Sequence, residues 1–452
     1  MKNKIIKQLS LYICIFFILI GIYMVLLTLT SMIPSSLLEK HVIQSSETLE
    51  EEGEKILIDL KYKKETLFTF TDALMINTAY SIDNSHPIES FMLARKNYIP
   101  GQTKQVYGDS QYNLGANEKY INKENGDLYQ TKELYGLMHG ENIEDSYEYA
   151  RYWHGYLVLL RPLLLLGNYC TIRIILFMIT LACIVTMLIL LWKRINWKIS
   201  LIYAVGLLSI NIFIVSQSIN EILIFLVAFI SNIVLLVNKE KIKNIGIFFF
   251  IVGSISSFID LLTAPIITLG LTTITYFLLL QKEEDISVRK CITEMFKIVI
   301  AWVLGYGITW ISKWVIMELF FNRNIISQSI KQAMYRTNQV ERNGVKLFTP
   351  AQVIIRNIEY LSNTIIIMLL TIEIIYIIVM LIKNYKVEIS FKRNIKECIP
   401  YIIVFCFPIA WYMVLKQHSY IHSFFTYRIL SVSIISLLII ISKLFKNRKE
   451  KE

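Results

Sequence analysis

Two acidic residues and a scattered set of cations are the side chains with which this chain could do chemistry. Asp72, in TFTDALMINTAY, has apolar neighbours on both sides. A carboxyl group desolvated in that way has a raised pKa and can act as a base. Its position after Thr69 and Thr71 equally suits a helix N-cap or first-turn acid. Asp260, in SSFIDLLTAPIITLG, ends an apolar run just before Pro265 turns the chain. An ionisable group inside an apolar span costs ~2.5–3.5 kcal/mol on insertion scales. Asp260 is therefore either a functional group or a residue just past the membrane edge that stabilises the turn.

The segment KQHSYIHSFFTYR, 416–428, sets His418 and His422 four residues apart, on one face if helical. That is also metal-ligand spacing, but the segment holds no Asp or Glu, so no metal and no cofactor is assigned. With Arg428 and an aromatic run beside them, a phosphate or pyrophosphate is the more natural ligand, held by charge-assisted hydrogen bonds. The alternative is interfacial anchoring by amphipathic side chains. Arg161-Pro162 interrupts LVLLRPLLLL, so that piece is expected to break and to be re-entrant or interfacial. Arg161 then either snorkels to headgroups or contacts a lipid phosphate. Arg151, Tyr152 and His154, in SYEYARYWHGY, and Arg336 complete the set of candidate binding residues.

The elements that must position these residues are mostly membrane helices. At 55% hydrophobic and 18% charged residues, with a mean hydropathy of +0.51, the chain is too apolar for an ordinary soluble fold. Its net charge of +11 lies largely in short clusters between apolar runs, which is the positive-inside pattern and excludes nucleic acid as the expected partner. The six cysteines lie in or beside apolar segments and spell no disulfide framework or zinc cluster. Walker, HExxH and GxSxG motifs are absent, as is a helix with regularly spaced arginines.

An apolar run over 11–33 follows Lys2, Lys4 and Lys7 and is long enough for an uncleaved anchor. Residues 34–150 are polar and turn-rich, with helical patches expected over 35–60, over 67–80 and from Pro87 through Lys96, and loop over 97–140. The stretch 146–169 then gathers tyrosines, Trp153 and cations as a membrane–water interface does. Further spans are expected at 171–192, 199–216, 221–237, 245–262, 265–280, 299–320, 362–382, 400–415 and 427–444. The domains are therefore 1–33, an anchor; 34–150, an extracytoplasmic loop; 151–444, a multi-span region with a second outer loop at 322–361; and 445–452, a basic tail. Alternation puts every short basic loop, and both termini, on the cytoplasmic side of the cell membrane. The fold class is an all-α polytopic membrane protein of about ten transmembrane helices, with a large, partly helical outer loop after the first span.

This order of parts resembles the GT-C superfamily of integral-membrane glycosyltransferases: a basic N-terminus, one span, a large outer loop with an acidic residue, then many spans with cationic outer loops. The family shows an acidic residue or pair early in the first outer loop, and the best match here is the single Asp72. The resemblance implies transfer of a sugar from a polyprenyl-phosphate donor to a cell-envelope glycan or protein acceptor on the outer face. Asp72, or less favourably Asp260, would then be the general base of an inverting displacement. Arg151, His154, Arg161, His418, His422 and Arg428 would meet the charge of the leaving lipid phosphate. Membrane lipids and the lipid-linked sugar are the implied partners. A polysaccharide or lipid transporter or polymerase, and a non-enzymatic envelope assembly protein, are the alternatives.

Overall fold

The computed structural model describes residues 2–53, 56–60, 63–66, 69–98, 106–107, 110–111, 130–141, 145–339, 347–361 and 391–444. Its helices are α1 Lys2–Ser31, α2 Glu39–Glu52, α3 Thr69–Tyr80, α4 Pro87–Leu93, α5 Gln130–Met138, α6 Leu157–Leu166, α7 Tyr169–Arg194, α8 Trp197–Leu208, α9 Ile212–Val215 and α10 Ile219–Asn238. They continue as α11 Ile245–Ile259, α12 Ile266–Glu283, α13 Val288–Phe321, α14 Ile325–Arg336, α15 Pro350–Leu361, α16 Phe391–Phe405, α17 Phe407–Val414, α18 Lys416–Ile421, α19 Ser423–Thr426 and α20 Leu430–Leu444.

Six helical stretches among the described residues are long and apolar enough to cross a membrane, not the ten expected: Ile6–Ser31, Tyr169–Arg194, Ile219–Lys241, Val288–Phe321, Ile395–Val414 and Ser423–Leu444. The run over 199–216 is not one helix, because Asn211 adopts a left-handed conformation at φ 54° and separates α8 from α9. The run over 245–262 ends early, when Asp260 turns extended after Ile259. The expected span at 362–382 and the tail at 445–452 lie outside the described residues.

The segment 34–150 is only partly helical. Pro87 does open a helix, but Ala94 ends it in a left-handed conformation, and Arg95–Tyr98 pairs as an antiparallel strand with Asp145–Glu148. Ile56–Leu60 pairs with Lys63–Thr66, and Val106–Tyr107 with Ser110–Gln111. These three short ladders are absent from the all-α expectation, and α5 lies within the expected loop. The helix over 69–80 agrees with its apolar spacing. Helices α2, α3 and α5 pack through Val42, Leu49, Ile76 and Leu134, all fully buried.

Helix α12 is the centre of the bundle, with every residue from Ile266 to Leu280 buried. It is tied laterally by hydroxyls. Tyr203 bonds Thr275, which donates to Asn232 of α10, and Trp302 of α13 donates to Thr268 at 3.0 Å. Buried hydrogen bonds of this kind hold helices together where lipid offers no hydrophobic driving force. Helices α11 and α13 touch backbone to backbone, since a Cβ on Gly253 would collide with the Trp302 carbonyl and one on Gly305 with that of Phe250. By contrast α1 is peripheral, with Phe17, Ile18, Val25 and Leu29 exposed as lipid-facing residues are.

Candidate functional site

The site is built on the turn between α11 and α12. Asp260 leaves the helix in an extended conformation, and both its oxygens accept the Thr263 N–H, at 2.9 and 3.0 Å. Leu262 sits at φ 72°, a strained conformation for a bulky residue, and this turns its carbonyl toward α18. That carbonyl is 2.8 Å from His418 Nε2, so Nε2 carries the proton and donates. His418 Nδ1 is then a lone pair and accepts from Arg336 Nη1. One imidazole thus joins the Asp260 turn to the guanidinium at the end of α14. His422 lies beside it with the rings tilted by 55°, centroids 4.8 Å apart.

Burial pushes the Asp260 carboxyl up to about 7, opposed by the backbone and side chain of Thr263 and by the Leu262 and Leu261 N–H groups. Asp260 lies outside all six candidate spans. The histidines are pushed the other way. Burial first, and the Arg336 charge second, hold His418 well below the usual imidazole range and His422 at about 3. Burial thus favours the neutral form of both rings, whereas the sequence suggested cations facing a phosphate.

Arg336 is the charged group of the cluster. Tyr152, Tyr306 and Asp260 act on one another electrostatically, and Arg336 acts on both tyrosines. Burial raises the Tyr152 hydroxyl to about 12, so it is a proton donor at neutral pH. Tyr152 also stacks on Trp310 of α13, at 5.7 Å. Among the described residues no carboxylate lies within ion-pair distance of Arg336, whereas Arg428 is paired with Glu221 in the same region. Arg428 is thus a neutralised cation, not one left for a ligand.

Asp72 is fully buried, and its two oxygens accept four hydrogen bonds: from Tyr169 Oη at 2.6 Å, the Ile219 N–H at 2.9 Å, the Asn220 N–H at 2.9 Å and Ser218 Oγ at 3.1 Å. It caps α10 across 147 residues of sequence, where a carboxylate is favoured by the helix dipole. Burial raises its pKa, and the Tyr169 hydroxyl with the two backbone N–H groups opposes that. The cap is reinforced by Arg173, which donates to Tyr169 Oη at 3.0 Å and forms a two-pronged pair with Glu52 at 2.9 and 2.7 Å. Asp72 is nonetheless in touch with the site. Asn220 accepts from Thr263 Oγ1 at 3.3 Å, and Thr263 is the donor to Asp260.

Three other candidates have structural partners. Arg161 is completely buried and donates to the carbonyls of Thr30, Ile33 and Ala79, gathering the ends of α1 and α3. Its Nη1 also reaches Ser35 Oγ at 3.5 Å, so the guanidinium is held by the protein. Helix α6 also runs through Pro162 without breaking. His154 donates from Nε2 to the Tyr149 carbonyl at 2.6 Å and accepts at Nδ1 from Tyr156, and burial holds it at about 3, so it has no donor for an anion. Arg151 is buried over the Tyr149 ring, and its carbonyl accepts from both Trp310 and Trp314.

Among the described residues no three His, Cys, Asp or Glu side chains come together as a metal site. Comparison with known protein families, characterised proteins and solved structures found no match to this chain. Tyr306, Asn220, Thr263 and Glu221 were not among the candidates read from sequence. Glu221 had a usable signal, an acid at the start of an apolar span. Tyr306 and Asn220 had none, since only tertiary packing brings them to the Asp260 turn.

Proposed function

We propose that this chain is a membrane glycosyltransferase that moves a sugar from a polyprenyl-phosphate donor to a cell-envelope acceptor, with the reaction at the Asp260 turn. The observation that carries the reading is a buried carboxyl pushed up to about 7, joined through His418 to Arg336, which has no carboxylate partner among the described residues. Such a pair suits a displacement in which a proton is removed on one side while negative charge develops on the other.

In this reading the Asp260 carboxylate takes the proton of an acceptor hydroxyl as its oxygen attacks the anomeric carbon. The bond from that carbon to the phosphate oxygen breaks, and the lipid phosphate leaves with the electron pair. Arg336 meets its charge, and the neutral Tyr152 hydroxyl can donate to it. Asp260 is preferred to Asp72 as the base because its turn is joined through His418 to Arg336, whereas Asp72 caps α10. The site end of the bundle would face outward and the termini the cytoplasm, since the opposite end carries the basic turns.

The test is the glycan composition of the cell envelope in a strain lacking the protein, restored with wild type, Asp260→Asn or Asp72→Asn at equal accumulation. Loss of a sugar that wild type restores and Asp260→Asn does not is the expected result. Full restoration by Asp260→Asn removes the base from this turn. If deletion costs no sugar, a non-enzymatic envelope assembly role takes precedence.

A further inference from the structure

At one corner of the basic end a lipid-facing surface runs directly into a group of lysines. Helix α7, a candidate span, exposes Met178, Val185, Ile189 and Trp192, which lie seven, four and three residues apart and so form one stripe. Ile230 and Val237, seven apart, are exposed in the same way on α10, which packs against α7. Apolar faces left open along membrane helices face lipid. The α7 stripe ends in Trp192, 63% exposed in the last turn, and α8 opens five residues later with Trp197, 50% exposed.

The ends of α7 and α10 are fastened to each other. Arg194 donates from Nε to the Leu236 carbonyl at 2.8 Å and lies 3.5 Å from Glu240, which sets the turn over 239–243 against the turn over 192–197. Lys193, Lys241 and Lys243 are exposed on these two turns, and among the described residues none of them has a carboxylate within ion-pair distance. Lys239, in the same turn, does have one in Glu283.

Exposed lysines need no partner in water, so on their own they mark only the inner side of the membrane. The indoles carry the argument further. A large ring half or more exposed is poorly placed in water and well placed among headgroups, where its apolar body leaves water and its N–H stays wet. Because Trp192 continues the lipid-facing stripe, the next group along that surface is a headgroup, and it meets the three ammonium groups. A soluble acidic partner accounts for the lysines but not for the stripe that leads to them.

We propose that Lys193, Lys241 and Lys243, framed by Trp192 and Trp197, form a site for an anionic phospholipid headgroup, with its acyl chains along α7 and α10. A headgroup of net negative charge is preferred, since a zwitterionic one brings its own cation against the lysines. This inference is independent of the glycosyl-transfer reading.

The test places the full chain in phosphatidylcholine vesicles holding a small fraction of lipid with brominated acyl chains, and reads quenching of tryptophan fluorescence. Both leaflets carry the probe, so the orientation of insertion does not matter. Brominated phosphatidylglycerol is expected to quench with an apparent affinity at least about fivefold above that of brominated phosphatidylcholine, the gain that one lysine at an anionic surface supplies. Replacing Trp192 and Trp197 with Phe should remove the excess. Replacing Lys193, Lys241 and Lys243 with Gln should bring the ratio near one at unchanged melting temperature, because all three are exposed. Lys193→Gln alone gives a partial reduction should the triple variant fail to fold. Equal quenching by the two lipids overturns the proposal, as does an excess that survives either set of substitutions. An excess abolished by millimolar inorganic phosphate also overturns it, since the site then takes a free ion and not a lipid.

Discussion

The two ends of the bundle handle charge in opposite ways. At the basic end lysines meet carboxylates: Lys239 with Glu283 at 3.1 Å, Lys290 with Glu284 at 2.6 Å, Lys396 with Asp285 at 3.1 Å and Lys443 with Glu397 at 3.5 Å. Lys282 caps the exit of α7 by donating to the Arg194 carbonyl. These pairs sit in water's reach; Lys290 and Glu284 are 47% and 40% exposed. At the site end, among the described residues, Arg336 has an imidazole lone pair in place of a carboxylate, and Asp260 accepts from the N–H groups of its own turn and the Thr263 side chain. Exposed pairs satisfy charge locally at little gain in stability. The arrangement at the site end leaves charge unsatisfied, which stability alone does not favour, and that is the physical case for a ligand there.

The contrast can be broken first within the site end itself. Arg428 and Glu221 are each 4% exposed and paired. Removing one partner of such a pair strands a buried charge and costs about 3–5 kcal/mol. Arg428→Met is therefore expected to lower yield and melting temperature sharply, and adding Glu221→Gln should recover most of the loss. If Arg428→Met is stable but inactive, this cation belongs with Arg336 and the distinction drawn between them fails.

Arg336→Gln should do the reverse. With no carboxylate among the described residues to strand, its melting temperature should change little, while sugar transfer falls on the order of 100-fold, as when one donor to a developing oxyanion is removed. A marked loss of stability with transfer intact would make Arg336 a structural cation like those of the basic end.

The pH dependence follows from Asp260. As a base it acts when ionised, so with a carboxyl near 7 transfer in isolated membranes should rise about fivefold between pH 6 and 7 and then level off. Stability moves oppositely. The folded carboxyl holds its proton above the ordinary value of 3.8, so its contribution is fully present below about pH 4 and is lost as pH rises through 7. Asp260→Asn should abolish that slope in melting temperature while leaving any slope from other groups.

Much of this was legible in local pattern. Apolar length and basic clustering gave the membrane character, and the helix at 69–80 followed from its spacing. Asp260 stood out as an acid ending an apolar run, and His418 and Arg336 as cations on neighbouring outer segments; the fold brings these three together with Tyr152. What escaped was long-range. Nothing near Asp72 says that it caps a helix that begins at Ile219, and nothing near Arg161 says that carbonyls of Thr30 and Ala79 will take its donors. Both residues carry the marks of a functional charge in an apolar setting, because burial with partners and burial for chemistry look alike until the partners are known. The break at Asn211 shows the same limit, since a single left-handed residue divides a run apolar enough for a span.

The smallest expected effect lies at the basic end, and it sharpens the comparison because it should be nearly nothing. Lys396 and Asp285 pair at 3.1 Å with the aspartate 78% exposed. The attraction there is screened by water and salt and opposed by the entropy of two long side chains, so the pair contributes roughly 0–1 kcal/mol. Lys396→Gln should leave melting temperature and sugar transfer within error of wild type, and any small shift should vanish at high salt. The same charge change at Arg336 is expected to cost transfer about 100-fold. If Lys396→Gln instead lowers transfer comparably at unchanged stability, cations matter equally at both ends. The unsatisfied charge at the site end would then not be what marks the site.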